Sequence, residues 1–362
     1  MPNSPAISLG ARIKQARIGA GLSLRGLADK TGNYVSAQVI HKYELGKSTP
    51  GSDVLIRLGR ALGVKSQYFL RPLEFAVDLA DSAFRKRSTV SVKAQLALRS
   101  RVREYIERYL EVESFFPKGP STRSMPAPHK FAATSLEEIE YHARTLRKQW
   151  RLGLDPIPQL IEVLEDCGAR VFLADVEEDI DGLSSWANGS IPVIVVKREQ
   201  PTDRLRFSIA HELGHLVLDV HDSLKVEKAA NRFAAAFLVP MESAVQELGQ
   251  SRNRLSLAEL MALRQKYGLS VQGWILRARD LGIISASYAV SIIARLKASD
   301  HFAKELGAPL SPERSTRFDR LVMRAVEEDL ASPARAAALL DIPLDVMLKR
   351  LSVEGAVEGS RH

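Results

Sequence analysis

Residues 204–220 read RLRFSIAHELGHLVLDV, with apolar residues at helical spacing on both sides of HELGH. This spacing predicts an α-helix with a buried face. His211 and His215 stand four residues apart, so they lie on the same helix face with Cβ atoms about 5–6 Å apart. That span lets both imidazoles bind one Zn²⁺, while Glu212 can reach a metal-bound water as general base. The stretch therefore predicts a zinc site of the HExxH type.

A catalytic zinc needs a third protein ligand and one position left for water. His221 follows His211 by ten residues, which is the spacing of the third histidine in metzincins. That motif also needs a glycine for a sharp turn where this chain has Leu218. Glu227 is the alternative, in the predicted helix VEKAANRFAAAFLVP, and Glu227-xxx-Asn231 has the form of the gluzincin Glu-xxx-Asp helix. We favour Glu227, with Asn231 one turn later as the hydrogen-bond partner of a ligand histidine.

The positive charge of the chain is concentrated near its amino end. Residues 1–72 contain eleven lysines and arginines but three aspartates and glutamates, so this segment carries the whole net charge of +8. A basic segment joined to a neutral remainder is typical of a module that binds a polyanion, most often nucleic acid. Its short apolar patterns, separated by glycines, predict a helix-turn-helix bundle.

Residues 9–70 include GLSLRGLADKTG, VSAQVIHKYELGKSTP and LIRLGRALGV, and they resemble the DNA-binding domain of lambda-repressor-like (XRE-type) regulators. Two features depart from that family. Asn33 and Tyr34 lengthen the turn before the third helix by two residues, and Leu24 and Arg25 replace a polar pair at the start of the second. The resemblance implies binding to double-stranded DNA, and a helical protein-docking module is the alternative.

The third helix of this bundle is expected to read the DNA. Gln38 can form a bidentate contact to adenine, whereas Lys47 is expected to contact phosphate and to fix register without reading sequence. The predicted DNA contacts are Arg25, Ala37, Gln38, His41, Lys42 and Lys47.

FSIAHELGHLVLD followed by ExxANRFAAAFLVP closely resembles the ImmA/IrrE family of metallopeptidases, over about residues 155–245. The resemblance implies a zincin-like domain that is zinc-dependent and cuts a partner repressor, which derepresses genes. It implies that His211, His215 and Glu227 are the zinc ligands and that Glu212 is the catalytic base.

The predicted fold is mainly α with a small β-sheet, in four segments. Two strands are predicted at residues 169–173 and 191–197, and a helix at 157–167 after Asp155-Pro156. The last predicted helix runs over 333–351. The segments are a helix-turn-helix domain at 1–72, a connecting helix and proline-rich linker at 73–130, a zincin-like metallopeptidase domain at 131–250 and a helical region at 251–362.

The composition excludes several other classes of protein. Hydrophobic residues make up 45% and charged residues 26% of the chain, as in ordinary folded proteins. No apolar run approaches the roughly 18 residues of a membrane helix, and the amino end does not have the pattern of a signal peptide. The single cysteine, Cys167, cannot form an internal disulfide. We therefore expect a cytoplasmic protein that binds no membrane and can form a homodimer.

Two functions remain open at this level. In the first, the protein is a DNA-binding regulator with a zinc endopeptidase domain that cleaves a repressor or another regulator. In the second, it is a transcription factor or antitoxin-like regulator whose zincin-like domain senses a ligand and has little or no proteolytic activity. Both predict binding of metal and DNA, so only the role of Glu212 separates them.

Overall fold

The structure is a computed structural model, and it describes residues 5–64, 66–70, 75, 77–79, 91–116, 124–175, 182–298 and 309–358. The chain divides into two compact units, one made of Met1–Gly119 with Thr316–His362 and the other of Pro120–Ser315. Helices dominate both units, and the described strands form two small sheets in the second. The predicted fold class, mainly α with a small β component, is confirmed.

The first unit begins with a bundle of short helices. Ser23 and Ser36 cap the second and third helices by accepting hydrogen bonds from backbone amides of the first turn, and each such cap stabilises its helix by about 1 kcal/mol. Leu27 and Ile40 are fully buried where these helices meet. The helices are α1 (Pro5–Gly19), α2 (Leu24–Lys30), α3 (Ala37–Glu44) and α4 (Ser52–Leu62), followed by a 3-10 turn at Ser66–Leu70.

The predicted connecting helix is α5 (Val92–Ser114), and it packs against α1. Arg12 on α1 forms a buried ion pair with Glu107 on α5. Gly19 permits the close approach of the two helices, because a Cβ there would lie 2.5 Å from the Ser100 Oγ. The helix is therefore part of the core of the first unit. The predicted linker residues 117–123 lie outside the described part of the chain.

The helices and strands of the second unit pack around one continuous apolar core. The strand β4 is apolar along most of its length because it is the central strand, parallel to β2 and antiparallel to β3, and β1 pairs in parallel with β5. The elements are β1 (Phe131–Ala133), α6 (Leu136–Gln149), α7 (Leu160–Asp166), β2 (Arg170–Ala174), β3 (Gly182–Ala187), β4 (Ile191–Lys197), α8 (Thr202–Val217), β5 (Leu218–Val220), α9 (Val226–Leu238), α10 (Met241–Leu248), α11 (Leu257–Tyr267), α12 (Val271–Asp280) and α13 (Ala286–Ala298).

The carboxyl-terminal helices belong to the first unit. They are α14 (Arg317–Glu327), α15 (Pro333–Leu340) and α16 (Leu344–Glu358). Phe318 on α14 stacks on Tyr109 of α5 with ring centroids 5.2 Å apart. The predicted region 251–362 is thus divided between the two units: α11–α13 complete the core of the second unit, and α14–α16 pack in the first. The predicted boundaries at 72, 130 and 250 stay predictions.

Helix α7 begins at Leu160 and not at Ile157, so that sequence prediction is wrong. The carbonyl oxygens before the helix are held by two buried arginines. Arg147 donates to the Asp155 carbonyl at 2.6 Å, and Arg206 donates to the Ile157 carbonyl at 2.6 Å. These hydrogen bonds hold the backbone before Leu160 outside the helix, and Pro158 disfavours a helical conformation at Ile157, the residue before it. Burial also lowers the pKa of the Arg147 guanidinium to about 10.

The predicted helix over 333–351 is also divided, into α15 and α16. Asp341 has a φ of 57°, in the left-handed region, and ends α15. Pro343 follows shortly after, and a proline disfavours a helical conformation in the residue before it. Among the described helices, none is both long enough and apolar enough to cross a membrane.

Candidate metal centre and nucleic-acid interface

Helix α8 lies at the centre of the second unit, packed against α9 and against the sheet strands β3 and β4. Gly214, between the two histidines of the HExxH sequence, lets α9 come close. A Cβ at Gly214 would lie 3.2 Å from the Phe233 ring and 3.3 Å from the Ala230 Cα. The glycine therefore allows α9 to lie directly beside the two histidines.

This packing brings Glu227 to His211 and His215. The two histidine Nε2 atoms are 3.0 Å apart, and the Glu227 carboxylate oxygens lie 3.2 Å from His211 Nε2 and 3.6 Å from His215 Nε2. The two histidine rings are mostly buried, whereas the Glu227 side chain is 73% exposed. The cluster is thus closed by protein on the α8 side and open to solvent on the α9 side.

The donor set and its spacing fit a metal ion. Four ligand atoms placed tetrahedrally at about 2.0–2.1 Å from zinc are separated from one another by about 3.3 Å, and the three distances in this cluster lie close to that value. Two imidazole nitrogens and one carboxylate oxygen also form a ligand set found in zinc hydrolases, with one position left for water. His211, His215 and Glu227 are therefore able to hold a metal ion together.

Asn231 lies one turn after Glu227 on α9 and contacts His211 from behind. Its Oδ1 is 2.9 Å from His211 Nδ1. Because an amide oxygen only accepts, this hydrogen bond holds the imidazole proton on Nδ1 and leaves the Nε2 lone pair for a metal. The structure therefore brings Asn231 to the position that the sequence analysis predicts for it.

Glu212 points toward the sheet and is 2% exposed. The Ser184 hydroxyl on β3 donates a hydrogen bond of 2.8 Å to Glu212 Oε2. Gly182 on the same strand lies so close that a Cβ there would be 2.9 Å from Glu212 Cγ. Neither Ser184 nor Gly182 was predicted from the sequence, because nothing in the local pattern of β3 indicates which helix residue it faces.

His221, the alternative third ligand, is not part of the cluster. It follows β5, where its backbone amide donates to the Ala133 carbonyl at 3.0 Å. Its Nδ1 lies 3.0 Å from Ser223 Oγ and accepts from the Ser223 amide at 3.2 Å. The imidazole is therefore engaged locally on the surface, and the choice of Glu227 over His221 is the one that the geometry supports.

The predicted DNA-reading residues lie on the surface of the first unit. Gln38, His41 and Lys42 are exposed on α3, Ala37 is half-buried at its first turn, and Arg25 and Lys47 are exposed at the start of α2 and after α3. Helix α3 is attached to α1, because Arg17 on α1 donates hydrogen bonds to both carboxylate oxygens of Glu44 on α3 at 2.6 and 2.9 Å.

Of the two additional turn residues, Asn33 is bonded to α2 through its amide and the Ala28 carbonyl, and Tyr34 contacts α4. Asn33 has a φ of 56°, a conformation that asparagine tolerates. The Tyr34 hydroxyl donates to Asp53 Oδ2 at 2.7 Å, and this hydrogen bond raises the pKa of Tyr34 and lowers the pKa of Asp53. The Arg57 guanidinium lies 4.1 Å from the Tyr34 ring centroid. The insertion is visible in the sequence, but its contact with α4 is not.

Comparison with protein families identifies two segments. Residues 164–277 match the family described as IrrE N-terminal-like domain, Peptidase_M78, and residues 13–69 match a helix-turn-helix family. Comparison with curated proteins found no match, and neither did comparison with solved structures. Both resemblances read from the sequence are confirmed: a helix-turn-helix segment of XRE type and an ImmA/IrrE-type peptidase segment occur in one chain.

Proposed function

We propose that this protein is a DNA-binding regulator whose second unit is a zinc-dependent endopeptidase that cleaves a partner repressor. One observation carries the proposal: the ligand atoms of His211, His215 and Glu227 lie at zinc spacing, and the buried Glu212 is on the same helix as the two histidines. The match of residues 164–277 to a peptidase family supports it, and the helix-turn-helix match supports the DNA-binding part.

In this proposal His211, His215 and Glu227 hold the zinc ion, and Asn231 orients His211. When bound, zinc lowers the pKa of a coordinated water toward about 7 and polarises the carbonyl of the peptide bond. The Glu212 carboxylate acts as general base: it accepts a proton on one oxygen and returns it to the leaving amine. The Ser184 hydroxyl holds the Glu212 side chain in one orientation through the 2.8 Å hydrogen bond.

The first unit supplies the interaction with DNA. Arg25, Lys42 and Lys47 contact phosphates in this proposal, and Gln38 and His41 face base edges. Neutralising phosphates releases counterions, so the affinity falls steeply as salt concentration rises. The repressor as substrate is what the ImmA/IrrE resemblance implies.

The test is to incubate the zinc-loaded full-length protein with candidate repressors encoded near its gene. We expect one discrete fragment that forms with the wild-type protein and not with Glu212→Gln. Zinc content is measured in both proteins, so that loss of cleavage can be assigned to the general base rather than to loss of metal. No fragment from any candidate, together with unchanged gene regulation in a zinc-retaining Glu212→Gln variant, would favour the ligand sensor.

A further inference from the structure

Two adjoining cavities lie along the surface of α9 and form one trough. The first has a volume of about 770 Å³ and the second about 380 Å³, and both are lined by Glu137, Arg232 and Asp280. We name the two cavities together the α9 trough. It lies between α6 and α12, and Asn231, the hydrogen-bond partner of His211, lines its first cavity.

The end of the trough beside the metal centre is rich in donors. Lys228, Asn231 and Gln272 line it, and the Lys228 ammonium group makes no ion pair with the described residues. The Asn231 Oδ1 contacts His211, so its NH₂ group faces elsewhere. Three groups that donate hydrogen bonds, one of them cationic, suit a carboxylate.

The charges along the wall add to this preference. Within the described part of the chain, Arg232, Arg277 and Arg279 pair with two carboxylates, those of Glu140 and Asp280. The arginine side chains therefore exceed their partners by one charge, and Lys228 adds another at the donor end. Glu137 on the opposite rim offsets only part of this excess.

The other end of the trough has exposed apolar side chains beside the Arg144–Glu242 ion pair. Tyr141 is 58% exposed and Met241 is 46% exposed, and both line the second cavity together with Ala236, Pro240 and Leu281. Between Asn231 and the end of α9 the helix rises by about 10 Å, which is the span of about three residues of extended chain.

The geometry points to one occupant, an extended segment of the protein substrate with an acidic residue beside Asn231, within reach of the Lys228 ammonium group one turn earlier, and a large apolar residue three or four positions away, over Tyr141 and Met241. The inference deepens the proposed function, because it assigns to the substrate a docking sequence outside the metal centre. It rests on the charges and shape of the trough and requires no step of the cleavage reaction.

The experiment measures docking without cleavage. The probe is the fluorescein-labelled peptide Gly-Ser-Glu-Ala-Ala-Phe-Ser-Gly, and its anisotropy is followed with the zinc-loaded full-length Glu212→Gln protein. Replacing the peptide glutamate by glutamine, or its phenylalanine by alanine, should each weaken binding by about tenfold. Lys228→Glu and Met241→Glu should have comparable effects when added to the Glu212→Gln protein. A peptide with lysine in place of glutamate should bind the Lys228→Glu protein better than the original peptide does.

Matched controls come from the same unit. Lys148 is an exposed lysine on α6, and Leu154 is 45% exposed; neither lines the trough. Lys148→Glu and Leu154→Glu should leave peptide binding unchanged. Equal binding of all peptides, or equal loss in the control variants, would overturn the inference. A change in oligomeric mass caused by Met241→Glu, without a change in peptide binding, would also overturn it, because a second copy would then cover the trough.

Docking and proteolysis fail separately in this design. If the zinc-loaded protein binds the peptide in the predicted manner but cuts no repressor, the docking site is supported and the peptidase activity is contradicted. If the protein cuts a repressor equally well with and without Lys228→Glu, the peptidase activity is supported and the docking site is contradicted.

Discussion

In the candidate metal centre, His211 and Glu212 are buried, and each contacts a polar side chain from another element. On the recognition helix α3, Gln38 and His41 instead lie exposed on one surface. The candidate metal centre therefore depends on how α8, α9 and β3 pack together. The exposed surface of α3 needs only that this one helix is formed and packed on α1. Substitutions should reveal this difference, because those in the metal centre alter metal binding or folding and those on α3 alter DNA recognition alone.

The largest expected effect is at the third ligand. Glu227→Ala should abolish stoichiometric zinc binding, because only His211 and His215 remain as protein ligands. Zinc content after extensive dialysis measures this. His221→Ala is the control and should retain its zinc, since that imidazole contacts Ser223. Zinc retained by Glu227→Ala and lost from His221→Ala would reverse the assignment.

The next effect concerns the charges that join α9 to its neighbours. Glu140 pairs with Arg232 and with Arg277, whose side chain is fully buried. Glu140→Ala should lower the free energy of unfolding of the second unit by about 3–5 kcal/mol, because it leaves the buried Arg277 without its carboxylate partner and Arg232 with Asp280 alone. Glu199→Ala, at an exposed position, should change it by less than about 0.5 kcal/mol.

Tryptophan fluorescence during urea unfolding follows this unit alone. All three tryptophans of the chain, Trp150, Trp186 and Trp274, lie in the second unit. If Glu140→Ala and Glu199→Ala unfold at the same urea concentration, the charge network does not stabilise α9 as we describe.

A smaller effect on zinc affinity is expected at Asn231, the hydrogen-bond partner of His211. Asn231→Ala removes the acceptor of the His211 Nδ1 hydrogen bond, and the zinc affinity should fall by roughly ten- to a hundredfold, as it does when such supporting contacts are lost. Competition with a zinc-binding dye measures the affinity. Lys228→Ala, on the same helix, should leave the zinc affinity unchanged. Equal zinc affinities of Asn231→Ala and Lys228→Ala would show that Asn231 does not support the site.

The smallest effects should occur on the DNA-reading surface. Gln38→Ala should cost about 1–3 kcal/mol at one base pair, whereas Lys47→Ala should weaken binding to all sequences alike and reduce the salt slope by about one. Circular dichroism should show unchanged folding, since both side chains are exposed. Binding curves on a set of operator variants test this, and a change of preferred sequence in Lys47→Ala would contradict it.

Elements with a strong local pattern could be predicted well. The strand β4 coincides with the predicted strand at residues 191–197, because a run of β-branched residues carries its own signal. The hydrogen bonds that hold the backbone before α7 could not be predicted, since they come from the buried Arg147 and Arg206. Nor could the contact of Ser184 with Glu212, which joins residues 28 positions apart.

The sequence by itself determined that His211 and His215 share one face of a helix, because the helical repeat alone aligns residues four apart. It also located the basic helix-turn-helix segment. Only the tertiary structure decided between His221 and Glu227 as the residue beside the two histidines. That choice depends on the close packing of α9 on α8, which Gly214 permits through contacts with Ala230 and Phe233, and packing between separate helices is set by side chains distant in the chain.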